Sequence, residues 1–484
     1  MEFDYIIVKA EGRGEALGRL TKNKPPVLVP IDNCPMLFHL FHKYPDKQFI
    51  IIGDYQYAVL DCYLKAFAKV EYTLLPAMNE DKELVGLSIA LNLIPDGKAF
   101  LVIDGDVVLK EDYEFPLDVG NYAGKLPDGS MGCFLIKDSS QLKQERIIEN
   151  LQDSLTKFDI LLQPVVLDDA VRYDTEEAVR QVVDRHCRPF NQMEWCKEFI
   201  LKEGRDEQGQ KLATREISWY RRMEELGFDK LPRIYSYEPF IMERINGGNI
   251  YNYQLTYEEK RNMLADIIAV LRKLHALGSI PASKESMQEA YAVKTFNRLN
   301  KVRSVIPFAD REYITINGRV CRNIYFHQKE FEDLTKKIKA DKFVLIHGDC
   351  TFSNIMVREQ DGKKEPVLID PRGYFGYTEM YGDATYDWAK LYYSIVGNFD
   401  QFNNKNFTLT FLEDAVMVET ASNHWEDMEE EFFALLAGEA DHSIIRLIYT
   451  IFWLSLTSYA WENYDSICGA FYNGIYYLEE LWDM

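Results

Sequence analysis

Short apolar runs alternate with helical patterns along the first 136 residues. The runs "DYIIV", "QFIII", "KVEYTLL" and "AFLVI" are rich in β-branched and aromatic residues, and the segments "YAVLDCYLKAF" and "ELVGLSIALNL" between them carry helical spacing. Strands that alternate with helices favour a doubly wound, largely parallel sheet, in which ligands collect at the carboxyl ends of the strands. We therefore predict an α/β domain over residues 1–150, with Gly12 and Gly14 after the first strand and Asp106 after the fourth as candidate binding residues.

The length and the charge of the chain limit its class. A chain of 484 residues is too long for one ordinary core, and 47% apolar residues are enough for packed domains. The 55 basic and 77 acidic residues give a net charge of -22, which repels nucleic acid and anionic membranes. We expect a soluble, acidic, cytoplasmic protein with no nucleic-acid partner.

Cysteine usage and apolar runs favour the same class. The eight cysteines form no C-x-x-C pair and no metal-ligand spacing, which is typical of free thiols in a reducing compartment. The N-terminus lacks the features of a secretion signal. The longest uncharged apolar run, residues 447–461, falls short of the roughly 20 residues that span a bilayer, so we predict a buried core helix and no membrane insertion.

Beyond a boundary near residue 150, the pattern changes. The segment "WCKEFILKEGRD" predicts a strand, "QKLATREISWYRRMEELGF" an amphipathic helix, "RIYSYEPFIMERINGG" a pair of strands, and "TYEEKRNMLADIIAVLRKLHALG" a helix that Gly278 stops. The remainder after about residue 395 is predicted to be mostly helical.

Residues 343–376, "FVLIHGDCTFSNIMVREQDGKKEPVLIDPRGYFG", carry the clearest chemical pattern. Transfer of a phosphoryl group to a hydroxyl needs a carboxylate near the hydroxyl, oxygen ligands for magnesium, and a cation on the phosphates. Asp349 supplies the carboxylate, and Asn354 and Asp370 supply oxygens. We expect "FVLI" and "PVLI" to pair as a hairpin that brings the three together. Upstream, Lys202 on a predicted strand and Glu216 on the next helix are spaced to form an ion pair.

These pieces resemble the aminoglycoside phosphotransferase and choline kinase family, relatives of the protein kinases. The matching segments, between about residues 195 and 395, are "FILKE", "REISWY", "PFIMERING", "LRKLHALG", "HGDCTFSNIM", "LIDPRG" and "YDWAKLYYS". The resemblance implies a kinase-like fold with a smaller lobe over residues 151–245 and a larger lobe over 246–484. It also implies ATP and Mg²⁺ as cofactors.

The resemblance assigns a role to each matching residue. Asp349 becomes the catalytic base, Asn354 and Asp370 become magnesium ligands, and Lys202 becomes the phosphate-binding lysine with Glu216 as its partner. The remaining assignments are an adenine-binding hinge at Met242, Glu243, Arg244 and Ile245, and structural support of the catalytic loop by His347 and Asp387. One feature departs from the kinase pattern, because no glycine-rich loop precedes Lys202.

The first domain resembles the sugar-nucleotidyltransferases over about residues 3–136. The segment "AEGRGEALGRLTKNKPPVLVPIDNCPMLFHL" is similar to their opening glycine loop, which implies a nucleotide or sugar-nucleotide site at Gly12 and Gly14, with a magnesium-binding aspartate at Asp106. Ala16 and Pro26 stand where the family carries an arginine and a lysine. Because two phosphate-binding cations are missing, we expect this domain to be catalytically silent. It could still bind a nucleotide or a sugar nucleotide.

The combined pattern predicts a kinase that phosphorylates a hydroxyl of a small amino alcohol, sugar or polyol. One alternative is a bifunctional enzyme that phosphorylates an alcohol and then activates the product as a nucleotide derivative for cell-surface polysaccharide. Another is a nucleotide-binding pseudoenzyme. The aromatic residues Trp453, Tyr459 and Trp461 fit either a cationic acceptor or a core. His275 is expected to pack at a helix end, and Arg372 fits either a phosphate contact or a turn cap.

Overall fold

The structure, a computed structural model, describes residues 3–78, 85–110, 113–115, 120–144, 151–157, 160–182, 191–204, 207–360 and 362–484. The first residues of the predicted helix "ELVGLSIALNL" and the end of the predicted strand "WCKEFILKEGRD" lie outside these ranges. The chain divides into two compact units. The first unit comprises residues 1–186 with 461–464, and the second comprises residues 187–460 with 465–484.

The first unit is built on a seven-stranded sheet in the order β10-β8-β9-β6-β1-β4-β5. The strands of the unit are β1 (Tyr5–Ala10), β2 (Pro30–Ile31), β3 (Cys34–Pro35), β4 (Gln48–Gly53), β5 (Tyr72–Pro76), β6 (Phe100–Asp104), β7 (Val107–Leu109), β8 (Asn121–Lys125), β9 (Met131–Ile136), β10 (Leu162–Val166) and β11 (Ala170–Arg172). Its helices are α1 (Met36–Lys43), α2 (Tyr57–Phe67), α3 (Gly86–Leu93), α4 (Leu151–Lys157) and α5 (Glu176–Arg180).

The four strands predicted from the alternating pattern form the parallel half of this sheet. Strand β1 lies between β6 and β4, and β5 pairs with β4, all in parallel. Strand β9 is antiparallel to both β6 and β8. Side chains such as Ile7, Ile52 and Leu91 are fully buried between the sheet and α3, and each buried aliphatic side chain contributes about 1.5–3 kcal/mol. The predicted α/β fold class of this unit is confirmed.

The first unit extends past the sequence-based boundary near residue 150. Strand β10 adds to the edge of the large sheet beside β8, and β11 pairs with β7. Short strands of this kind escaped the sequence pattern because β10 is largely exposed, so its residues lack the buried-strand signature. The division between the units lies at residues 186 and 187.

The second unit begins with a four-stranded antiparallel sheet and continues into a helical part. The strands of this unit are β12 (Asn191–Trp195), β13 (Phe199–Gly204), β14 (Ile234–Tyr237), β15 (Phe240–Glu243), β16 (Gly247–Asn249), β17 (Ser279–Pro281), β18 (Tyr313–Ile316), β19 (Arg319–Arg322), β20 (Lys342–Leu345), β21 (Ile355–Gln360), β22 (Lys363–Leu368), β23 (Tyr374–Phe375), β24 (Thr378–Glu379), β25 (Tyr381–Gly382), β26 (Phe407–Phe411) and β27 (Ala415–Thr420). The helices are α6 (Glu207–Glu225), α7 (Tyr257–His275), α8 (Lys284–Gln288), α9 (Lys294–Val302), α10 (Gln328–Thr335), α11 (Ala384–Ile395), α12 (Phe399–Asn403), α13 (Glu429–Leu436), α14 (His442–Leu456) and α15 (Tyr464–Leu478).

The sheet of this unit has the order β12-β13-β15-β14, and α6 packs on it. Helix α7 begins at a capping box in which Thr256 and Glu259 satisfy each other's backbone N–H groups. Helices α9 and α11 both pack on α14. Between α8 and α9 the chain makes a π-helical turn, Glu289–Val293, so that residues 284–302 run as one helical segment.

Helix α14 contains the first ten residues, 447–456, of the apolar run at residues 447–461. Within the described residues, one helical stretch, His442–Ala460, is long and apolar enough to cross a membrane by length and composition, and 67% of its most apolar window is buried inside the protein. Trp453 is fully buried there against Tyr393 and Phe402. Burial of this kind is what a core helix shows.

The expected hairpin of "FVLI" and "PVLI" is wrong. Strand β20 pairs with β17 and β25, whereas β22 pairs with β21 in another sheet. The reason is an additional strand: β21 follows Asn354 directly, turns at Gly362 with a φ of +74°, and pairs with β22 over its whole length. The chain therefore returns to Asp370 along the β21–β22 hairpin.

Candidate active site

The loop that follows β20 is held in place by one buried carboxylate. Asp387, fully buried on α11, accepts hydrogen bonds from the backbone N–H groups of His347 (2.9 Å) and Gly348 (2.8 Å). His275, at the end of α7, lies 3.0 Å from the same carboxylate. Burial alone would raise the pKa of Asp387, but His275 and the other hydrogen bonds hold it below its usual value. The loop is therefore clamped by an ionised aspartate, and His275 occupies the helix-end position expected for it.

His347 fixes the spacing between the two loops of the site. Its Nε2 lies 2.9 Å from the carbonyl oxygen of Ile369, and its Nδ1 accepts the backbone N–H of Asp349 at 3.3 Å. One nitrogen therefore donates and the other accepts, so the ring is neutral, and burial lowers its pKa accordingly. The backbone N–H of Arg372 also donates to the carbonyl of His347 (2.9 Å), which ties the Asp370 loop to the Asp349 loop.

Gly348 is needed for this close approach. Its φ is +79°, a backbone region that favours glycine, and a Cβ at this position would lie 2.9 Å from the Cβ of Arg372. Any other residue would push the two loops apart.

Asp349 projects beside two other functional groups. Its Oδ1 lies 2.8 Å from the ammonium of Lys390 on α11, and its Oδ2 accepts the amide N–H of Asn354 at 3.1 Å. Burial pushes the pKa of Asp349 up, but the charge and the hydrogen bond of Lys390, together with the charge of Arg372, outweigh that effect, so the pKa lies below its usual value. The side chain keeps 39% of its surface exposed, and an ionised carboxylate is therefore presented to an incoming molecule.

Lys202 connects the four-stranded sheet of the second unit to the loop that follows β22. From β13 its ammonium contacts Glu216 of α6 at 2.8 Å and Asp370 at 2.6 Å. Lys202 and Glu216 are almost fully buried, whereas the Asp370 side chain is 45% exposed. Burial raises the pKa of Glu216 to about 7, although Lys202 opposes this rise. The spacing of Lys202 and Glu216 in the sequence thus corresponds to a direct ion pair.

Asp370 has an unusual backbone for its position. Its φ is +52°, and its N–H donates to the hydroxyl of Tyr220 at 3.2 Å. Burial raises and Lys202 lowers the pKa of Asp370, with a net decrease. Left-handed backbone at a non-glycine residue costs about 1–3 kcal/mol and is found mainly where function requires a particular side-chain direction.

The segment Met242–Ile245 leaves the sheet at the end of β15. Met242 is buried opposite Ile200 of β13, and Ile245 is also buried. Glu243 accepts a hydrogen bond from Arg358 (2.8 Å), and the backbone N–H of Arg244 donates to Glu198 (3.0 Å). The segment "CRPFNQMEWCKEF" stands before Lys202 in place of a glycine-rich loop, and its first four residues, 187–190, lie outside the described residues.

Lys390 is a site residue that was not predicted from the sequence. It stands three residues after Asp387 in "YDWAKLYYS", and on a helix that spacing places two side chains on neighbouring positions of one face. The spacing itself could have predicted this role. Asp387 binds the loop of Asp349, and a residue one turn later on the same face of α11 lies next to the same loop. Arg372, left open between two roles, donates to the hydroxyls of Tyr374 (3.1 Å) and Tyr386.

In the first unit, Asp106 is already paired with a cation. Arg172 donates from one nitrogen to Asp106 (2.7 Å) and from the other to Asp104 (3.0 Å) and the carbonyl of Met131 (2.6 Å). Burial raises the pKa of Asp106, and Arg172 counteracts it. A guanidinium therefore occupies the space between the two aspartates.

In the glycine loop of the first unit, the ring of Pro26 packs against Gly14. Gly12 and Gly14 have φ values of +82° and +62°, and the Cβ of any other residue at position 14 would lie 2.8 Å from the ring of buried Pro26. Both glycines and Asp106 lie at the carboxyl ends of β1 and β6, as expected. Gly14, Pro26, Asp106 and Arg172 line a cavity of about 150 Å³, smaller than the roughly 300 Å³ at which ligand pockets begin.

A family model matches a large part of the second unit. The model of the family "Phosphotransferase enzyme family" matches residues 189–415. Residues 189–415 form a phosphotransferase-family domain. The resemblance inferred from the motifs of the second half is thereby confirmed.

Curated relatives are found for the nucleotidyltransferase-like part. Bifunctional protein GlmU of Methanocaldococcus jannaschii is 32% identical over 115 residues, which cover 23% of this chain and 26% of that protein. Bifunctional protein GlmU of Methanococcus maripaludis is 31% identical over 117 residues, which again cover 23% of this chain and 26% of that protein. The chain thus spans about a quarter of the length of these relatives. The phosphotransferase-family domain follows a nucleotidyltransferase-like domain.

Among solved structures, the inositol-1-phosphate CTP transferase from T. maritima is 14% identical, with a TM-score of 0.30, and covers 38% of this chain and 97% of that one. The CTP:phosphocholine cytidylyltransferase from Streptococcus pneumoniae is 17% identical, with a TM-score of 0.30. The match covers 36% of this chain and 96% of that one.

Proposed function

We propose that the second unit is a kinase that uses ATP and Mg²⁺ to phosphorylate a hydroxyl of a small molecule, within the range of amino alcohols, sugars and polyols. The observation that carries the proposal is the double contact of Lys202 with Glu216 and Asp370, next to the loop that presents Asp349. A structural ion pair needs only one carboxylate. A lysine that also holds a half-exposed aspartate is placed for a ligand that brings both phosphates and a metal.

The oxygen donors of the site fit magnesium. Among the described residues, no group of three or more His, Cys, Asp or Glu side chains is arranged to hold a metal by itself. Magnesium is commonly bound by one or two protein oxygens together with substrate phosphates, so this finding suits Mg²⁺ carried by a nucleotide. Asp370 offers an ionised carboxylate. Asn354 uses its amide N–H groups on Asp349, which leaves its carbonyl oxygen without a hydrogen-bond partner among those residues.

The proposed reaction is an in-line transfer. The acceptor oxygen forms a bond to the γ-phosphorus while the bond to the β,γ-bridging oxygen breaks, ADP leaves, and the hydroxyl proton passes to Asp349. Magnesium, when bound, neutralises charge on the phosphates. Asn354 orients Asp349 through its amide, Lys202 meets the phosphates, and the buried Glu216 keeps Lys202 in place. The hinge Met242–Ile245 is proposed to meet the adenine.

We propose that the nucleotidyltransferase-like domain is catalytically silent and that it retains at most a binding role for a nucleotide or sugar nucleotide. The pairing of Arg172 with Asp104 and Asp106 supports this, because the guanidinium already contacts both carboxylates that would otherwise attract a metal and offsets part of their charge. Pro26 packs against Gly14 where a cation was sought, and the cavity is small. These observations favour the kinase over the bifunctional alternative.

A comparison of two aspartate variants tests the kinase. ADP release is measured with Mg²⁺ and ATP against a panel of amino alcohols, sugars and polyols, for the native chain, Asp349→Asn and the exposed-site control Asp333→Asn. The proposal expects an acceptor-dependent rate that Asp349→Asn lowers by roughly 10²- to 10⁴-fold and the control leaves unchanged. An equal rate in all three chains would contradict it. ATP binding without consumption across the panel would favour the pseudoenzyme.

A further inference from the structure

Basic side chains gather on the helical side of Asp349. Lys294 and Arg298 lie one turn apart on α9, and Lys390 on α11 contacts Asp349 itself. Arg372 follows Asp370 by two residues, and Arg215 of α6 stacks on the ring of Tyr374 (4.4 Å), as Arg372 does (4.5 Å). Five cations in one region are unexpected in a chain with a net charge of -22.

Two of the cations, Arg298 and Lys390, also contact neutral groups of α14 and the residues after it. Arg298 donates to the carbonyl of Ser455 (2.7 Å) and lies over the ring of Tyr459 (5.1 Å). Lys390 lies over the ring of Phe452 at 4.5 Å, one turn before Ser455 on α14. Helix α14 therefore forms a common support on which α9 and α11 present their charges side by side.

Apart from Lys390, which pairs with Asp349, these charges have no close carboxylate partner in the part of the chain that the structure describes. Among the described residues, none of Arg215, Lys294, Arg298 and Arg372 lies within 4 Å of a carboxylate oxygen. Lys294 is repelled by Arg372, Arg298 and Lys390, and burial together with this repulsion lowers its pKa, with Glu289 opposing. Like charges held together in a partly buried site are destabilising unless a counter-charge arrives.

Lys294 and Arg298 lie outside the proposed nucleotide-binding groups. Lys202, Glu216 and the hinge all belong to elements between β13 and β15, whereas α9 belongs to the helical part. Lys390, one of the charges that repel Lys294, contacts Asp349, the residue proposed to meet the acceptor hydroxyl, at 2.8 Å. The π-helical turn immediately before Lys294 changes the phase of the helix at this point, and such turns are frequent at functional sites.

We propose that the acceptor is itself an anion, with a phosphate or carboxylate group beside the hydroxyl that is phosphorylated, and that Lys294 and Arg298 bind this group. This rests on the proposed kinase function and narrows it. Arginine matches phosphate and carboxylate oxygens with two parallel hydrogen bonds, and lysine adds a point charge. Arg372 and Lys390 extend the positive region to the reacting oxygen.

The same arrangement selects against cationic acceptors. Tyr459, one of the aromatic residues considered for an amine, is already covered by Arg298. Trp453 is fully buried, and Trp461 packs on Phe38 (5.4 Å) in the first unit. An amino alcohol would bring a positive charge to a region that already holds several.

Matched acceptors test the proposal. The native chain is assayed with Mg²⁺ and ATP on two sets: glycerol, glycerol 3-phosphate, glycerate and ethanolamine, and glucose, glucose 6-phosphate, glucuronate and glucosamine. We expect at least one anionic member to exceed its neutral counterpart about tenfold or more in kcat/KM, the order expected for one good charge contact. Comparison of the phosphate esters with the carboxylic acids in each set shows whether the site prefers a phosphate or a carboxylate group. A preference for the neutral or aminated members would overturn the proposal and leave the kinase intact.

Two variants and a control locate the binding group. Lys294→Met and Arg298→Met are each expected to raise the KM for the anionic acceptor about tenfold, with the KM for ATP within about twofold of the native value. Lys284→Met, which removes an exposed charge on α8, should change neither. A rise in the KM for ATP instead would assign these residues to the nucleotide and overturn the proposal.

A binding measurement tests the anion site even if the true acceptor is missing from the panel, because it does not depend on turnover. Inorganic phosphate should raise the unfolding temperature of the ATP-free native chain and of Lys284→Met, and raise that of Lys294→Met clearly less. Because Lys294 is unpaired among like charges, Lys294→Met without phosphate should be at least as stable as the native chain. A purely structural lysine would give a less stable variant with an unchanged response to phosphate, and that result would overturn the anion site.

Discussion

The ammonium of Lys390 lies 2.8 Å from Oδ1 of Asp349, on the face of α11 that also carries Asp387. The contact opposes the effect of burial on Asp349 and keeps its carboxylate ionised. One helix therefore both fixes the catalytic loop, through Asp387, and sets the charge state of the proposed base, through Lys390.

Replacement of Lys390 should move the acid limb of the pH–rate profile. Burial raises the pKa of Asp349, and Lys390 makes the largest opposing contribution, so Lys390→Met should raise this pKa and shift the fall of kcat/KM in acid to higher pH. The profile is measured for the native chain, Lys390→Met and the exposed control Lys329→Met. An acid limb that stays in place in Lys390→Met would show that Asp349 does not control the rate.

Loss of Lys202 should weaken both folding and nucleotide use. Lys202→Met leaves Glu216 buried without its cation, a change that typically costs about 3–5 kcal/mol of unfolding free energy. The KM for ATP should rise, while Lys202→Arg should keep more of the stability than of the activity, since it preserves the charge but not the geometry. Denaturant unfolding and ATP kinetics measure the two effects. An unchanged KM for ATP in a folded Lys202→Met would remove the lysine from the nucleotide site.

Asp387 should make the second unit sensitive to acid. Its pKa in the folded protein is depressed, so its contribution to stability is present above its unfolded pKa and is lost as the pH falls through the folded value. Asp387→Asn should therefore be less stable at neutral pH and should lose less stability on acidification than the native chain. Unfolding midpoints between pH 7 and the acid limit test this. Parallel curves for both chains would contradict the role of the ionised carboxylate.

The first unit should not release pyrophosphate. With a nucleoside triphosphate, Mg²⁺ and a sugar 1-phosphate, the native chain is expected to show no pyrophosphate above background, because Arg172 already occupies the position between Asp104 and Asp106. Asp106→Asn should leave the kinase rate unchanged. Pyrophosphate release that Asp106→Asn abolishes would instead establish the bifunctional enzyme.

The sequence predicted those features that depend on local pattern. The buried strands of the first unit, the spacing of Lys202 and Glu216, and the loops of Asp349 and Asp370 follow from hydrophobic periodicity and motif order. The features it missed depend on pairing across the chain. The β21–β22 hairpin displaced the expected pairing of "FVLI" with "PVLI", and Arg172, 66 residues after Asp106, reached a site that was considered only for a metal.

The basic region was missed for a similar reason. Lys294, Arg298, Arg372 and Lys390 are spread over almost 100 residues and are brought together by the packing of α9 and α11 on α14. In the sequence, Lys294, Arg298 and Lys390 taken alone are typical of surface cations, and Arg372 fits either a phosphate contact or a turn cap. Their common position exists only in the folded unit.

The most direct test of the kinase is the fate of the γ-phosphoryl group. The native chain and Asp349→Asn are incubated with Mg²⁺ and γ-³²P-labelled ATP in the presence of each anionic acceptor, and the label is followed by chromatography. Our account predicts transfer of label to an acceptor hydroxyl by the native chain and a loss of that transfer in Asp349→Asn, which still binds ATP. Label that Asp349→Asn transfers as fast as the native chain would contradict the account.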